Sequence, residues 1–516
     1  MNRIFTSISN FSTLQEENAV YIDKTALIYR MIKTDRAFFL SRPRRFGKSL
    51  LVSTLEAYFQ GRKELFNGLA IEKLEQDWTQ YPVLRFDMSG DRYTKIEDLQ
   101  IRLNVQLSKY EKIYGKEDYA LNPNSRLKSL IERAKAQTGQ NVVVLVDEYD
   151  APLLDIVVDD DNANQIRTML RSFYSPLKES GEHLRFVFLT GITKFSQLSI
   201  FSELNHLKII SMRDDYATIC GFTEEEIRNE LHFEVESVAE KYGVDFETMM
   251  SMLKAQYDGY HFSRECPDIY NPYSLLNALQ SKQLDNYWFA SGTPTHLTEM
   301  LSKYTLRPEE LEGFSADADD FDAPTETAPT PIPILYQGGY LTIKHYENGE
   351  YILGFPNEEV RNGFLKGLMP YYSHIESREN NTFIRQLTKS IKQADINQAM
   401  LLLKSFFSSI PYDTERQNEA HYKTMFYLIF RLSSPFVVRT EERSAAGRCD
   451  ALIETVDAIY VFEFKLHGTA KNALKQIDDK GYLIPYAAGD KKLYKIGVSF
   501  DEELRTIKEW LIEKGE

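Results

Sequence analysis

The segment from Ser41 to Leu50, SRPRRFGKSL, constrains the fold of this chain more than any other stretch. An apolar run, AFFL, precedes it, and a helical pattern, LLVSTLEAYF, follows it. A strand, a loop that ends in Gly-Lys-Ser and a helix, in this order, form the context of a phosphate-binding loop. Backbone N–H groups and the N-terminus of the helix would surround the phosphates. The segment therefore predicts nucleotide binding within an α/β fold.

The side chains of this loop have separate predicted roles. Lys48 would reach the β- and γ-phosphates, and the Ser49 hydroxyl would hold Mg²⁺. The general pattern has glycine at the position of Arg42, where a residue with φ > 0 lets the chain turn. A chance Gly-Lys-Ser in a helix cap is the alternative. The remaining residues of the predicted nucleotide site are Arg45, Phe46, Gly47 and Leu50.

A second run, NVVVLVDEYDAPL, is apolar as far as Asp147 and Glu148. A continuous apolar run of this length predicts a strand buried on both faces of a parallel sheet, and ligands bind at the carboxyl end of such strands. Asp147 would hold Mg²⁺ through water, and Glu148 would act in catalysis by polarising the attacking water. A third run, RFVFLTGITKFS, ends in Thr190 and Thr193. Either could sense the γ-phosphate or simply cap the strand; Thr190 is included in the predicted site.

The segments YIDKTALIYRMI, FFLSRPRRFGKSLLVSTLEAYFQGRKELF, VVVLVDEYDAPL and LTGITKFSQLSIFSELN resemble the AAA-ATPase-like family of bacterial and archaeal proteins. The resemblance covers roughly residues 5 to 205. In that family RPRRFGKS is the usual form of the phosphate loop, so Arg42 is not a departure from it. The resemblance implies that the nucleotide is ATP. Tyr21 and Asp23 could contact it, although packing and helix capping are the alternative roles.

Two later strands, CDALIET and AIYVFEFK, carry a second group of charged residues. Glu463 and Lys465 are two residues apart on one strand, so they face the same side. If the strands pair as a hairpin, Asp450 meets Glu463 there. Two carboxylates that hold Mg²⁺ beside a lysine that orients water are what metal-assisted phosphodiester hydrolysis requires. An exposed Glu/Lys pair is the alternative, but unpaired charges in a mostly apolar strand are costly.

The segments GRCD, EFK and KQIDDKGY resemble the PD-(D/E)xK nuclease domain that accompanies the AAA-ATPase-like family, over about residues 415 to 514. The resemblance implies catalytic roles for Asp450, Glu463 and Lys465. It also implies that Asp450, Glu463 and Glu419 hold the metal, either Mg²⁺ or Mn²⁺, and that Gln476 is a polar residue of the following helix. The aspartate lies in GRCD rather than in the Pro-Asp pair that is common in this superfamily.

A chain of 516 residues is too long for one core and predicts about three domains. The predicted fold is α/β, with a three-layer P-loop ATPase core, a helical and winged-helix-like middle region and a restriction-endonuclease-like C-terminal domain. The acidic, proline-rich segment GFSADADDFDAPTETAPTPIP predicts a loop or linker. The predicted boundaries are 1–215 for the ATPase-like domain, 216–312 for a helical subdomain, 313–333 for the linker, 334–410 for a hairpin and helical connector, and 411–516 for the nuclease-like domain.

Composition excludes some classes of protein. The net charge of −15 argues against a protein that coats nucleic acid by bulk electrostatics. Lys465 to Lys495 contains seven lysines and three aspartates, a local excess that fits a basic site or a solvated face. The three cysteines are far apart and form neither a metal motif nor a disulfide framework. The N-terminus has no apolar targeting segment, so the expected location is the cytoplasm.

The sequence therefore predicts an ATP-binding P-loop ATPase coupled to a Mg²⁺-dependent nuclease that acts on DNA, with RNA as a further option. Three alternatives are left open. The nuclease fold could only bind nucleic acid, the protein could be a nucleotide-gated signalling or scaffold protein without turnover, or the nuclease could act without ATP. A homo-oligomer is compatible with each, because many ATPases of this general type use an arginine from a neighbouring subunit.

Overall fold

The computed structural model describes residues 3–154, 160–193, 207–290, 304, 307–321, 323, 328–410, 419–433, 437–444, 447–501 and 506–515. The chain divides into two compact units. Unit 1 comprises Met1–Thr305 and Gly313–Val360, and unit 2 comprises Leu306–Glu312 and Arg361–Glu516. The finer boundaries stated above stay predictions. Among the described helices, none is both long enough and apolar enough to cross a membrane.

Unit 1 contains a five-stranded parallel sheet in the order β2-β3-β4-β1-β5. Leu40 lies opposite Thr190 in the pairing of β1 with β4, and Asp87 lies opposite Asp147 in the pairing of β2 with β3. The carboxyl ends of these strands therefore meet at one edge of the sheet, where ligands bind in open α/β folds. The strands are β1 (Ala37–Ser41), β2 (Val83–Asp87), β3 (Val142–Asp147), β4 (Leu184–Gly191) and β5 (Lys208–Ile209).

Helices cover both faces of this sheet. Neighbouring residues of a strand point to opposite faces, so Phe38 and Phe39 of β1 show what packs on each face. Phe39 packs in a core with Leu103 and Leu130 of two helices on one face. Phe38 packs on the other face against Phe186, whose ring also lies 5.0 Å from that of Phe59 in the helix after the phosphate loop. The predicted α/β core with a parallel sheet is confirmed. Its helices are Phe11–Glu16, Thr25–Thr34, Lys48–Phe59, Ala70–Leu74, Ile96–Tyr114, Pro123–Thr138, Ala151–Leu154, Asp160–Tyr174 and Pro176–Glu179, with 3₁₀ turns at Lys63–Phe66, Gly181–His183 and Asp214–Tyr216.

A helical region follows in the same unit, as predicted. Its first helix begins at a capping box, in which the Glu226 amide donates to the Thr223 hydroxyl at 3.2 Å and the Thr223 amide donates to the Glu226 carboxylate at 2.8 Å. The Lys24 ammonium also pairs with Glu226, at 2.5 Å, and so joins the helix to the N-terminal segment. The helices are Glu224–Glu230, His232–Tyr242, Phe246–Tyr257, Pro272–Ser281 and Tyr287–Ala290.

The acidic, proline-rich segment differs from the predicted loop in its described part. It contains β6 (Phe314–Ala316) and the helix Ala318–Phe321, and the side chain of Phe321 is fully buried. The Phe321 ring packs against the rings of Tyr336 and Tyr351, at 4.6 and 5.1 Å, so an aromatic contact holds the helix Ala318–Phe321 in place. The predicted Asn-Gly hairpin is present as β7 (Thr342–Glu347) and β8 (Glu350–Gly354), which form an antiparallel sheet with β6, and the helix Ile332–Gln337 precedes it.

Unit 2 contains a mixed sheet in the order β13-β12-β11-β10-β9. β11 pairs with β12 in parallel and with β10 antiparallel, so β10 and β11 form the predicted hairpin. The strands are β9 (Val437–Ser444), β10 (Gly447–Glu454), β11 (Ala458–Lys465), β12 (Lys492–Asp501) and β13 (Thr506–Lys514). The helices are Glu358–Ser373, which begins in unit 1, then Ser377–Lys392, Ile396–Ser409, Glu419–Leu432 and Ala470–Asp479, with 3₁₀ turns at Pro308–Glu310 and Ile484–Tyr486.

A buried acid in unit 1 predicts a pH-dependent stability. Asp258 is 2% exposed, and burial raises its pKa to about 7, although Lys254 lies 3.9 Å away. The unfolded carboxyl titrates near pH 4, so the folded protein binds this proton more tightly and loses stability as the pH rises from about 4 to 7. We expect Asp258→Asn to unfold at a higher temperature than the wild type at about pH 8 and at a similar temperature at about pH 4. Melting curves at both pH values check this, and an equal difference at both would contradict it.

Candidate functional site

The phosphate loop of unit 1 has the backbone that its sequence predicts. Gly47 has a φ of 89° and lies immediately before the helix that begins at Lys48, and Arg45 has a φ of 67°. The Lys48 side chain is 4% exposed, and its Nζ donates to the carbonyls of Arg42 and Pro43, at 3.1 and 3.0 Å. Burial lowers the pKa of Lys48, although the nearby Glu148 carboxylate opposes this. The ammonium is thus held within the loop by carbonyl oxygens, which phosphate oxygens could replace.

Arg42 supports the loop from within the protein. Its guanidinium is buried and donates to the carbonyl of Ser211 at 2.7 Å, and to those of Tyr216 and Ala217 at 3.4 Å. The same guanidinium lies 4.1 Å from the ring centre of Phe262. Arg42 therefore ties the start of the loop to the chain after β5 and is not directed at a bound phosphate.

The other arginines of the loop are exposed. Arg44 and Arg45 both have exposed side chains, and the Arg45 guanidinium lies 4.7 Å from the ring centre of Tyr273. The carbonyl of Arg44 accepts a hydrogen bond from the Trp288 indole at 3.2 Å. Both arginines border the same cavity as Lys48, so they are free to approach an anionic ligand in it.

Asp147 stands at the end of β3, beside the helix N-terminus. It is 1% exposed, and its Oδ1 has no hydrogen-bond partner among the described residues. Its Oδ2 lies 3.8 Å from the Arg85 guanidinium. Burial raises the pKa of Asp147, and the adjacent Ser49 hydroxyl lowers it. The Ser49 hydroxyl and a buried carboxylate with an unpaired oxygen match the hard oxygen ligands that Mg²⁺ prefers, so these residues fit a Mg²⁺ ion.

The next acid, Glu148, has a backbone φ of 48°, which is uncommon for a residue other than glycine. Burial raises the pKa of Glu148, whereas the Lys48 ammonium lowers it. Asp150, which the sequence analysis did not single out, is fully buried. Its Oδ2 accepts hydrogen bonds from the Ile192 amide, at 2.9 Å, and from the amide and hydroxyl of Thr193, at 2.7 and 2.8 Å. Asp150 therefore joins the segment after β3 to the segment after β4.

The structure separates the two candidate threonines. The Thr190 side chain is fully buried, and its hydroxyl donates to the Leu40 carbonyl of the neighbouring strand at 2.9 Å. Thr190 does not border the cavity, whereas Thr193 does. The Thr190 side chain thus lies inside the sheet and away from the cavity, so its position does not support its inclusion in the nucleotide site. Thr193 lines the cavity, and its hydroxyl donates to the Asp150 carboxylate.

A cavity of about 710 Å³ lies next to the phosphate loop, a volume typical of a small-molecule site. Residues 44–51 and Glu148 form part of its wall. The predicted site residues Arg45, Phe46, Gly47, Lys48, Ser49 and Leu50 are among them. Tyr21 lines the cavity, whereas Asp23 does not; its carboxylate instead accepts from the Thr25 amide, at the first residue of the helix Thr25–Thr34, at 2.8 Å. The cavity thus brings the predicted loop and the predicted base together.

The second site lies on the hairpin of unit 2. The pairing of Ala451 with Phe462 places Asp450 opposite Glu463, as predicted. The Oδ2 of Asp450 accepts a hydrogen bond from the Phe464 amide at 2.8 Å. The Lys465 ammonium lies 3.2 Å from the Oε1 of Glu463. The three residues predicted to be catalytic are therefore neighbours in the fold.

Glu463 has an unusual environment for a charged group. Its side chain is 3% exposed, and its Oε2 has no hydrogen-bond partner among the described residues. Burial and then the nearby Asp450 carboxylate raise the pKa of Glu463 to about 7. The Gln476 amide also donates to Oε1, and the Lys465 ammonium donates to the Gln476 side-chain oxygen at 2.5 Å. Two adjacent carboxylates, one with an unpaired buried oxygen, fit a divalent cation.

Lys423 is a site residue that the sequence analysis missed. Its Nζ lies 3.1 Å from the Oδ1 of Asp450. It belongs to the helix Glu419–Leu432, whose first residue is the predicted metal ligand Glu419; the side chain of Glu419 lies outside the described residues. Residues four apart share one face of a helix, which was the available signal. In the part of the chain that the structure describes, no group of three or more His, Cys, Asp or Glu side chains is arranged to hold a metal.

Comparisons with known proteins match the two parts of the chain that carry these candidate sites. Unit 1 has a phosphate loop in a parallel α/β sheet, and unit 2 has a carboxylate pair on a β-hairpin. These features are typical of an ATPase-like unit and a nuclease-like unit. Residues 6–201 match the family described as predicted AAA-ATPase, and residues 417–510 match the PD-(D/E)XK nuclease superfamily. The chain is also 34% identical to an uncharacterized protein in the vnfD 5′ region of Azotobacter chroococcum, over 98% of each chain. The chain therefore belongs to the AAA-ATPase-like family and carries a C-terminal domain of the PD-(D/E)XK nuclease superfamily.

Proposed function

We propose that this protein hydrolyses ATP at the phosphate loop of unit 1 and uses ATP to control Mg²⁺-dependent cleavage of DNA at the hairpin of unit 2. The observation that carries the nuclease part is the buried carboxylate of Glu463, which has an unpaired oxygen beside Asp450 and Lys465. A purely structural carboxylate in an apolar strand would be costly without a complete set of partners. This group is therefore better explained as one that binds a cation.

In the proposed ATPase site, each side chain has one task. Lys48 would exchange the carbonyls of Arg42 and Pro43 for phosphate oxygens, which carry more negative charge. Ser49 and Asp147 would hold Mg²⁺, which when bound neutralises charge on the phosphates. Glu148 would accept a hydrogen bond from the attacking water, since its raised pKa makes it a better base than an exposed carboxylate.

In the proposed nuclease site, Asp450 and Glu463 would hold the cation, which when bound polarises the phosphodiester. The hydrogen bond from the Phe464 amide orients the Asp450 carboxylate, and Gln476 and Lys465 orient that of Glu463. Lys465 also places a positive charge next to the carboxylates, where it would hold and orient the attacking water. The chain thus supplies a preorganised site on rigid strands.

A cleavage assay tests the proposal. The full chain is incubated with supercoiled plasmid, single-stranded DNA and RNA, with Mg²⁺ or Mn²⁺, and with or without ATP. We expect metal-dependent cutting of DNA whose rate changes with ATP and which stops on chelation. Cutting that does not respond to ATP would contradict the coupling, and no cutting of any substrate would contradict the nuclease assignment.

The ion pair between Lys423 and Asp450 favours a second candidate function, a nuclease fold that binds nucleic acid without cutting it. The Lys423 ammonium lies 3.1 Å from the Oδ1 of Asp450, an oxygen that a bound metal would need as a ligand. Under this alternative, DNA binding depends on ATP but is independent of divalent metal at the hairpin. Gel-shift titrations with and without a chelator separate the two candidates.

The two threonines give a paired prediction for the ATPase site. Thr193→Ala should lower ATP turnover about tenfold, because it removes a hydrogen bond that orients the buried Asp150 carboxylate at a residue that lines the cavity. Thr190→Ala should keep turnover near that of the wild type and cost about 1 kcal/mol of stability, because its hydroxyl bonds only to the Leu40 carbonyl. Phosphate release and melting curves measured on both variants check this. A larger loss of turnover in Thr190→Ala than in Thr193→Ala would contradict the placement.

A further inference from the structure

A second cluster of reactive groups lies in unit 1, in the turn between Tyr260 and Ile269. The backbones of these two residues pair, with N···O distances of 3.2 and 2.8 Å, and close the turn. His261 is fixed in it, because its amide donates to the Thr342 hydroxyl at 2.8 Å and its carbonyl accepts from the same hydroxyl at 3.0 Å. The turn therefore presents its side chains in a defined arrangement.

Three side chains of this turn form a Cys-His-Asp cluster, which we define as Cys266, His261 and Asp268. The Nδ1 of His261 lies 3.1 Å from the Oδ1 of Asp268. This hydrogen bond raises the pKa of His261 to about 10, so the imidazole is positively charged at neutral pH. A cysteine beside an imidazolium that a carboxylate orients is the arrangement that activates a thiol as a nucleophile.

The surroundings of the Cys266 sulfur favour the thiolate form. Burial alone would raise the pKa of Cys266, but interactions with His261, Ser263 and the Phe262 amide together outweigh it, and the pKa falls below its usual value. The sulfur also accepts a hydrogen bond from the Phe262 amide at 3.4 Å, and 8% of the residue is exposed. Burial also raises the pKa of Cys220, and there it is not outweighed, so the pKa of Cys220 lies above its usual value. Cys220 is therefore expected to react more slowly and serves as the comparison cysteine.

This cluster is connected to the phosphate loop through Phe262. The Phe262 amide contacts the sulfur, while its ring lies 4.1 Å from the Arg42 guanidinium and 5.3 Å from the Phe46 ring. Tyr260, at the start of the turn, also packs against Phe46, at 4.7 Å between ring centres. The Phe262 ring therefore lies between the turn that carries the sulfur and two residues of the loop, Arg42 and Phe46.

We propose that Cys266 is a modification site that reacts with hydroperoxides, and that its oxidation weakens nucleotide binding at the phosphate loop. The thiolate sulfur attacks one peroxide oxygen, so that an S–O bond forms and the O–O bond breaks. The sulfur is oxidised to a sulfenic acid, and the second oxygen leaves as hydroxide, which a proton from solvent or from His261 converts to water. The added oxygen displaces the Phe262 amide and so disturbs the contact of its ring with Arg42. The second part of the proposal rests on the proposed nucleotide site.

The reactivity is tested without nucleotide. The full chain is exposed to limiting hydrogen peroxide, sulfenic acid is trapped with dimedone, and the label at each cysteine is measured by mass spectrometry of the peptides. We expect Cys266 to be labelled about tenfold faster than Cys220. Asp268→Asn, whose exposed side chain makes it a mild change, should slow labelling of Cys266 severalfold and leave that of Cys220 unchanged. Equal rates at the two cysteines, or no effect of Asp268→Asn, would overturn the proposal.

The coupling is tested by titration with a fluorescent ATP analogue before and after peroxide treatment. Oxidation should weaken binding severalfold in the wild type and leave Cys266→Ala unchanged. Unchanged affinity in an oxidised wild type whose Cys266 carries the label would overturn the coupling. Failure of the reduced protein to bind the analogue would instead refute the proposed nucleotide site, and the labelling experiment would still decide the reactivity of Cys266.

Discussion

Glu463→Gln should lower metal-dependent DNA cleavage about 1,000-fold, because several kcal/mol of transition-state stabilisation depend on a bound cation and each 1.4 kcal/mol is a factor of ten. Glutamine has the same shape, and its oxygen can still accept hydrogen bonds from Lys465 and Gln476. The substitution therefore removes the charge at the unpaired oxygen and little else. Initial rates of plasmid nicking, measured over a range of Mg²⁺ concentrations, quantify the loss.

Glu513→Gln provides the matched control on the same sheet. The Glu513 side chain is 55% exposed and lies 3.1 Å from the ammonium of Lys495, away from the carboxylate pair. This variant should cut DNA at the wild-type rate. ATP turnover should be unchanged in both variants. If Glu463→Gln kept more than about a tenth of the wild-type cleavage rate, Glu463 would not be a metal ligand.

Glu148→Gln should lower ATP hydrolysis between about 100-fold and 10,000-fold and leave the affinity for ATP nearly unchanged, because general-base catalysis contributes to the chemical step and not to binding. Glu148 borders the cavity, and the Lys48 ammonium is close enough to lower its pKa. An amide cannot accept the proton of the attacking water, although it fills the same space. Single-turnover hydrolysis and equilibrium binding, measured on the same preparation, separate the two effects.

Lys48→Ala gives the complementary result and Glu182→Gln the matched control. Removal of the Lys48 ammonium should weaken ATP binding itself, because a buried charge that faces the phosphates contributes to the ground state. Glu182 has a side chain that is 83% exposed, and its substitution should change neither binding nor turnover. Equal losses of affinity in Glu148→Gln and Lys48→Ala would mean that Glu148 shapes the site and is not the base.

The parts of both sites that follow from strand geometry could be predicted from the sequence. A strand has a period of two, so Glu463 and Lys465 share a face, and pairing of the two strands as a hairpin allows Asp450 to meet Glu463. The order of strand, loop and helix likewise located Lys48 and Ser49. Such local rules hold because the backbone alone fixes where these residues lie.

The parts that depend on tertiary contacts could not be predicted. Lys423 reaches Asp450 from another element, and its spacing from Glu419 indicates only that the two residues share a helix face, not that this face meets Asp450. Thr190 and Thr193 differ because the first donates to the Leu40 carbonyl inside the sheet, whereas the second donates to Asp150 and lines the cavity. The helix Ala318–Phe321 likewise depends on contacts of Phe321 with the rings of Tyr336 and Tyr351, which lie later in the chain. In each case the deciding partner is remote.

The buried guanidinium of Arg42 has a consequence for how this loop can be transplanted. In a phosphate loop whose first turn is formed by glycine, the conformation depends mainly on the backbone of the loop itself, so the loop can be grafted as a short segment. Here the shape depends on the carbonyls of Ser211, Tyr216 and Ala217 and on the ring of Phe262, all outside the loop. Arg42 through Leu50 placed in another scaffold would lose these acceptors and leave a buried charge without partners. A transplanted loop would therefore keep its conformation only if the segments that contain Ser211, Tyr216, Ala217 and Phe262 were transferred with it.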